Sequence, residues 1–424
     1  MKHTHLAAAL ALAALVTLPA RADELSDLRD SVRQLSDKLA RLEAQQAKAA
    51  APAPTAATAA APAGYIAVPG TTTAIKLGGY AQLDGALDLK GDQGRAVSLS
   101  DAPLNGSAAA QRHNTGTLSA RTSRVNFETL TDTGAGPLKT RIEFDFFTTE
   151  GSETYTNSAR PRLRHAYGQY GGWLAGQTWS TFMDPDSVAD TLEFNGPSGQ
   201  VFIRQAQLRY SMPAGGGQLD LALENPQTDA RDAAGSVTAQ DRLPDMVARW
   251  TLADRWGHLT LRGLLRDLRA ENGAGGGQAT TVGYGLGVSG SFKLGAADTA
   301  LYQLNVGKGI GRYIQDVNAG AAYDPATTQL HAERAASAVL GWQHQWTETV
   351  RSNLLASFTR SRNSLGYGDV AGLNRRTAQA YANVIWRATK NLDVGLEYGW
   401  GERRTEAGDK GEVSRLQSSV KYMF

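Results

Sequence analysis

Residues Val125–Phe147 read VNFETLTDTGAGPLKTRIEFDFF, and the fold turns on which side of this stretch meets water. From Leu138 onward the pattern alternates without a break. Leu138, Thr140, Ile142, Phe144 and Phe146 share one face, while Lys139, Arg141, Glu143 and Asp145 share the other. A period of two is the signature of a β-strand. The preceding segment pairs with it across TDTGAG. A register with Glu128 opposite Lys139 brings Asn126 to Arg141 and Arg124 to Glu143, and sets Phe127 against Thr140 and Val125 against Ile142. Facing opposite charges would add ~0.2–1 kcal/mol per pair. A hairpin this charged on one side and this apolar on the other needs either a protein core or a lipid phase against its apolar face.

The rest of the chain narrows the choice. It has 424 residues, a formal charge of +2, no cysteine and 46 glycines. Residues 1–22 carry Lys2, an apolar run from Leu6 to Leu18 and the small-x-small sequence Ala20-Arg21-Ala22, the layout of a secretory signal peptide. In an exported chain, the lack of cysteine excludes a disulfide scaffold and thiolate metal sites. Near-neutral charge gives no reason to expect nucleic acid as a partner. Within residues 23–50, Leu25, Leu28, Val32, Leu35, Leu39 and Leu42 are spaced three, four, three, four, three, the a/d seam of a short coiled-coil helix. So short a helix is marginal alone and would need partners or docking. Residues 51–70 are Ala/Pro-rich and read as an extended linker.

From residue 71 to 424 the texture is alternating throughout. Leu219, Leu221 and Leu223 oppose Gln218, Asp220 and Glu224, and Leu392, Val394, Leu396, Tyr398 and Trp400 oppose Asp393 and Glu397. Sixteen such segments can be placed, joined by seven short links and eight long ones in alternation. Short turns on one side, long loops on the other and strands of about ten residues describe an outer-membrane barrel. A closed sheet is also the way such strands cross lipid without an unpaired edge. The reading is therefore an all-β membrane protein, a 16-stranded antiparallel transmembrane β-barrel with an N-terminal periplasmic helix and both termini in the periplasm. The chain closes on EVSRLQSSVKYMF, whose Val420, Tyr422 and Phe424 alternate to a terminal aromatic, the form of a barrel-assembly signal.

In a barrel of this size the lumen is watery and its lining does the work. The candidates on the inward face are Arg124, Lys139, Arg141, Arg162, Arg164, Arg209 and Arg249, with Arg262 and Arg266 beside them. Arg121 and Arg204 fall on the opposite parity, so their direction is open. A guanidinium offers two parallel donors to one carboxylate and stays charged at any working pH. The long segment after the fifth strand carries Asp184, Asp186, Asp190 and Glu193, and is placed to fold inward as an acidic constriction loop facing the arginines. A polar lumen is expected of any water-filled barrel, so these charges are equally compatible with plain structural pairing. Asp184-x-Asp186 lacks the glycine and bidentate glutamate of an EF-hand loop, GKGIGR lacks P-loop spacing, and the histidines form no HExxH. No metal, cofactor or catalytic constellation is expected.

The segments GGYAQLDGALD, RTSRVNFETLTDTGAGPLKTRIEFDFF, RLRHAYGQYGGWLAGQTWSTFMD and VFIRQAQLRYSMP resemble the DcaP-like family of outer-membrane porins, as does the order of signal, heptad helix, linker and barrel. The resemblance implies a homotrimer of sixteen-stranded barrels, a periplasmic coiled coil, and uptake of dicarboxylates and similar small anions through a basic eyelet. That eyelet corresponds best to Arg124, Arg141, Arg162, Arg164 and Arg209. The expected partners are outer-membrane lipid, the barrel assembly machinery and small anionic solutes. Two alternatives stay open: a general diffusion porin with weak or cation selectivity, and a structural anchor whose coiled coil tethers the outer membrane to the cell wall.

Overall fold

The computed structural model describes residues 30–41, 62–148, 151–152, 154–232, 237–272, 277–364 and 370–424. Sixteen strands form the wall. They are β1 (Thr73–Lys90), β2 in two pieces (Thr115–Ser119 and Arg124–Asp132), β3 (Pro137–Asp145), β4 (Arg162–Tyr170), β5 (Trp173–Trp179), β6 (Arg204–Ala214), β7 (Gly217–Glu224) and β8 (Asp245–Asp254). Then follow β9 (Gly257–Asn272), β10 (Gln278–Leu294), β11 (Asp298–Lys308), β12 (Arg334–Gln345), β13 (Val350–Arg362), β14 (Asn374–Thr389), β15 (Leu392–Thr405) and β16 (Lys410–Met423). Each pairs antiparallel with the next, and β1 pairs with β16 from Tyr80↔Met423 to Lys90↔Ser414, which closes the barrel. A two-residue strand, Ile66–Ala67, pairs with β1 as well, so backbone pairing begins inside the stretch read as linker.

Burial is inverted relative to a soluble protein. Ile142, Leu163, Leu221, Leu265, Leu286, Leu340 and Leu396 are exposed, while Glu143, Asp145, Asp220, Glu224, Asp245, Gln303 and Asn353 are buried. Over most of the wall the outward parity is mainly apolar and the inward parity mainly polar. This is the arrangement that lipid outside and water inside require. Strand lengths are unequal: β3, β4 and β5 have 9, 9 and 7 residues, and β9, β10 and β14 have 16, 17 and 16. About 9–11 residues cross a bilayer, so the long strands continue past the membrane on the side of the long loops.

The hairpin that opened the sequence reading has a different register from the one expected. Glu128 faces Arg141, Asn126 faces Glu143, Arg124 faces Asp145 and Phe127 faces Ile142. The shift is two residues, so partners change and faces do not. Its cause is the turn. Asp132 pairs with Pro137, and the enclosed residues 133–136 are held by Asp132 Oδ1 accepting from the Gly134 amide at 2.9 Å and Thr133 Oγ1 donating to the Gly136 carbonyl at 2.7 Å. Gly134 and Gly136 sit at φ 77° and 132°, conformations a Cβ disfavours.

The lumen is not empty. Residues 180–203 and 309–333 fold into it. Phe182, Met183, Val201, Ile310, Tyr313 and Ile314 pack with inward-facing Ala222, Val247, Leu264 and Ala335 into one apolar cluster. Val97, Leu99 and Ala102, from the loop after β1, pack on Val413 of β16. Asp316 joins two of these loops, accepting from Ser98 Oγ at 3.3 Å and from the Ser100 amide at 3.1 Å. The apolar plug takes the β7–β12 side of the lumen and leaves the polar passage on the other.

Residues 30–41 form a separate helix. Val32, Leu35 and Leu39 on it are 60%, 63% and 60% exposed. Leu25, Leu28 and Leu42 of the expected seam, and residues 1–22, lie outside the described residues.

Candidate functional site

The basic candidates on β2, β3 and β4 converge on three carboxylates. Arg141 donates to Glu128 at 2.7 Å and to Glu143 at 2.5 Å. Arg162 binds Asp145 in bidentate fashion at 2.9 and 2.7 Å. Arg164 spans Glu143 at 2.9 Å and Asp145 at 2.6 Å, and Arg124 lies 3.3 Å from Glu143. Both Arg164 and the next residue, His165, are buried because the β3–β4 ladder bulges between Glu143 and Phe144. A bulge places two consecutive side chains on one face, which strict alternation forbids. Without it, either Arg162 and Arg164 or His165 and Tyr167 would point to lipid.

The structure also places the two arginines of open direction. β2 is interrupted at residues 120–123, where Ser123 Oγ replaces the missing ladder by accepting from the Gln82 amide at 3.0 Å and donating to the Gln82 carbonyl at 3.2 Å. Arg121 sits in that break, buried, donating to the Thr148 and Ser158 carbonyls at 2.8 and 3.1 Å, so it braces the next loop. Arg204 begins β6 and stacks on Trp179 at 4.0 Å from the ring centroid. No hydrogen bond or ion pair is made by its guanidinium among the described residues, and its Nε and Nη2 are buried without a partner.

The acidic loop meets the wall differently from the expectation. Asp184 accepts from His258 Nε2 at 3.0 Å and Ser289 Oγ at 2.6 Å, on β9 and β10, far round the barrel from the β2–β4 arginines. Burial pushes its carboxyl up, but the bonds from His258 and Ser289 and the charge of Arg262 hold it down, to about 2. Glu193 is buried 3.3 Å from Arg415 of β16, and its burial raises its pKa despite that arginine. Asp190 pairs with Arg351 of β13 at 2.7 Å, and Asp186 is exposed. The loop thus straps across the lumen, its carboxylates acting as anchors. Arg249 and Arg262 serve the same strap, donating to the Met183 and Phe182 carbonyls at 2.8 and 2.6 Å. Arg249 also clamps Asp220 at 3.0 and 2.7 Å. Arg266 braces Asp245 and the Gly309 carbonyl. Lys139 is exposed near the short turn, and Arg209 is half-buried with its Nε unpartnered.

Between the strap and the wall runs a cavity of ≈ 210 Å³ whose charged lining includes Arg124, Arg164, Asp190, Asp393 and Lys421. Arg124 and Lys421 both stack on Tyr80, at 5.1 and 4.4 Å from its ring centroid. Each acid in this lining has an arginine partner: Asp190 and Asp393 share Arg351, and Glu193 has Arg415. Lys421 has no carboxylate partner among the described residues. Sequence reasoning missed Lys421 and Arg415, although in EVSRLQSSVKYMF they alternate with the outward Leu416, Val420 and Tyr422.

A closed sixteen-stranded wall, lipid-facing outside and charged within, with an inserted strap leaving a polar passage, defines a passive outer-membrane porin, a channel and not an enzyme. The chain belongs to the family described as DcaP outer membrane protein, which matches residues 43–424. Among solved structures it is similar to the outer membrane channel DcaP of Acinetobacter baumannii, at 23% identity and a TM-score of 0.73, over 83% of this chain and 97% of that one. It is also similar in fold to an anion-selective porin from Comamonas acidovorans, at 12% identity and a TM-score of 0.54, over 83% and 100% of the two chains. A third similar fold is OmpF of Salmonella typhi in complex with daunomycin, at 12% and 0.52, over 83% and 98%. No curated protein matches the sequence.

Proposed function

We propose that this porin favours small organic anions such as dicarboxylates, and that Arg124, Arg141, Arg162, Arg164 and Lys421 form its basic eyelet. The observation that carries the reading is the surplus of cations beside the passage. The four guanidiniums of Arg124, Arg141, Arg162 and Arg164 share the three carboxylates of Glu128, Glu143 and Asp145, and Arg204, stacked on Trp179, and Lys421, stacked on Tyr80, add two cations with no carboxylate partner among the described residues. Arg124 and Lys421 flank one aromatic ring, a spacing suited to a solute with two carboxylates. Sites must attract strongly enough to fill and weakly enough to release, and partly neutralised arginines meet both demands. The acids of the strap do not favour cations, because Asp184, Asp190 and Glu193 are already engaged by the wall.

The protein acts as a homotrimer in this reading. On β3–β6 the outward face intersperses Thr140, Ala166, Gly168, Ala175, Gln177 and Ala206 among Ile142, Leu163, Trp173 and Leu208, so small and polar residues break up the apolar surface there. Close approach of another protein suits such a surface better than lipid does. The exposed Val32, Leu35 and Leu39 of the helix fit a partner helix in the periplasm. The test is a planar bilayer under a salt gradient. A reversal potential of anionic sign, with current block by succinate, supports the proposal. A cationic sign overturns the eyelet, and an absence of conductance favours an anchoring role.

A further inference from the structure

The outward face of the barrel carries a second cluster of charge that conduction does not use. Lys308 ends β11, Arg334 begins β12 and Arg362 ends β13. The ladder sets Lys308 directly opposite Arg334, and Arg334 directly opposite Arg362. Arg360 stands two residues below Arg362, opposite Ala336. All four share the parity of Leu304, Val306, Leu340 and Phe358, which are 48%, 55%, 58% and 44% exposed, so they face the membrane and not the lumen. They lie where the strands run into long loops, at the level of the outer leaflet headgroups.

This row opposes like charges directly across adjacent strands, an arrangement that costs free energy unless a counter-charge is present. None of the four has a hydrogen bond or ion pair among the described residues. The neighbouring strands show the contrast. There Arg404 and Lys410 are neutralised by Glu402 at 2.9 and 3.0 Å, and Lys410 also approaches Glu412 at 3.5 Å. The four cations line one shallow groove on the outer wall, which continues between Tyr284, Leu286 and Val306 over Ala336 and the strands at Gly307 and Ala335. A phosphate on the cations and an acyl chain along the apolar stretch fit the two parts together. Arginine forks bind phosphate oxygens in pairs, and basic residues near an anionic leaflet draw on its surface charge.

We propose that Lys308, Arg334, Arg360 and Arg362, with the groove they line, bind a phosphorylated lipid of the outer leaflet, its headgroup phosphates on the cations and an acyl chain in the groove. The inference rests on the trimer contact proposed above: if that contact runs along β3–β6, a site on β11–β13 stays open to lipid.

The test uses delipidated full-length protein, titrated in detergent with diphosphorylated lipid A, with phosphatidylcholine and with inorganic phosphate, and read by native mass spectrometry. Wild type should retain lipid A in preference to phosphatidylcholine. The triple variant R334Q/R360Q/R362Q should bind it about a hundred-fold more weakly, at roughly a decade for each 1.4 kcal/mol and ~1 kcal/mol per cation. The variant R404Q/K410Q, where Glu402 and Glu412 already balance the cations, should stay within about threefold of wild type. Equal retention by the triple variant, or equal binding of phosphatidylcholine, overturns the proposal. Displacement of lipid A by inorganic phosphate at equal concentration would also overturn it, assigning the cations to a free anion. If the triple variant fails to fold, R362Q alone should weaken retention about fivefold, and no change would count against the site.

Discussion

Arg164 and Lys421 show how two cations in one passage can have different duties. Arg164 is 2% exposed and bridges two buried carboxylates, so its removal takes from Glu143 and Asp145 the one counter-charge they share, leaving Glu143 to Arg124 and Arg141 and Asp145 to Arg162. Breaking a buried pair from one side costs about 3–5 kcal/mol. Arg164→Ala should therefore lower the temperature at which the barrel loses its heat-modifiable mobility on gels, as well as its anion preference. Lys421 neutralises no carboxylate, and Lys421→Ala should leave that temperature unchanged. The same variant should lower the anion-to-cation permeability ratio about two- to fivefold, as expected of one partly solvated charge. Unaltered selectivity would make Lys421 part of the wall and not of the filter. Both residues were within reach of alternation. What alternation could not supply was their partners, since these depend on a bulge at Arg164 and on barrel closure at Lys421.

At the scale of the element, the strap of residues 180–203 and the first hairpin each yield a test. Asp184 has a depressed pKa in the folded protein, so its contribution is present above the ordinary carboxylate value of about 4 and is lost as pH falls through about 2. The difference is on the order of 2 kcal/mol. Single-channel current should stay quiet from neutral pH down to about 3 and become noisy towards 2 as the strap loosens. Asp184→Asn should be noisy across the whole range, and a quiet channel would show that the strap is held elsewhere. Glu193 shifts the other way, so on acidification it gains its proton while Asp184 is still ionised. Arg415 is then left less neutralised, and anion preference should rise as pH falls. The hairpin register has its own check in a chain without cysteine. Thr129 and Thr140 face each other with their hydroxyls 2.7 Å apart, so T129C/T140C should oxidise readily to a disulfide. F127C/T140C, the pair of the register first expected, should not. The period of two fixed the faces of this hairpin in advance. Its register depended on how many residues the turn consumes, and TDTGAG admits more than one answer.

For the whole molecule, the proposed reading gives assembly to the helix and conduction to the barrel. Deleting residues 23–50 should leave single-channel conductance and selectivity intact while lowering the temperature at which trimers dissociate on gels. Loss of conductance would tie the helix to the pore itself, and trimers of unchanged stability would remove its assembly role. The sequence by itself determined the barrel: sixteen alternating segments joined by alternately short and long links leave a closed sheet in lipid as the consistent fold, because each backbone group must find its partner within the sheet. It also determined which face of most strands points to water, since that follows from parity alone. Only the tertiary structure decided that the strap's acids are anchors and not opponents of the arginine ladder. It decided as well that an apolar plug confines the passage to one side, and that Lys421 joins Arg124 at Tyr80 where the last strand closes on the first. These depend on contacts between residues far apart in the chain, at places where bulges and inserted loops break the local period, and a period carries no record of what lies across the lumen.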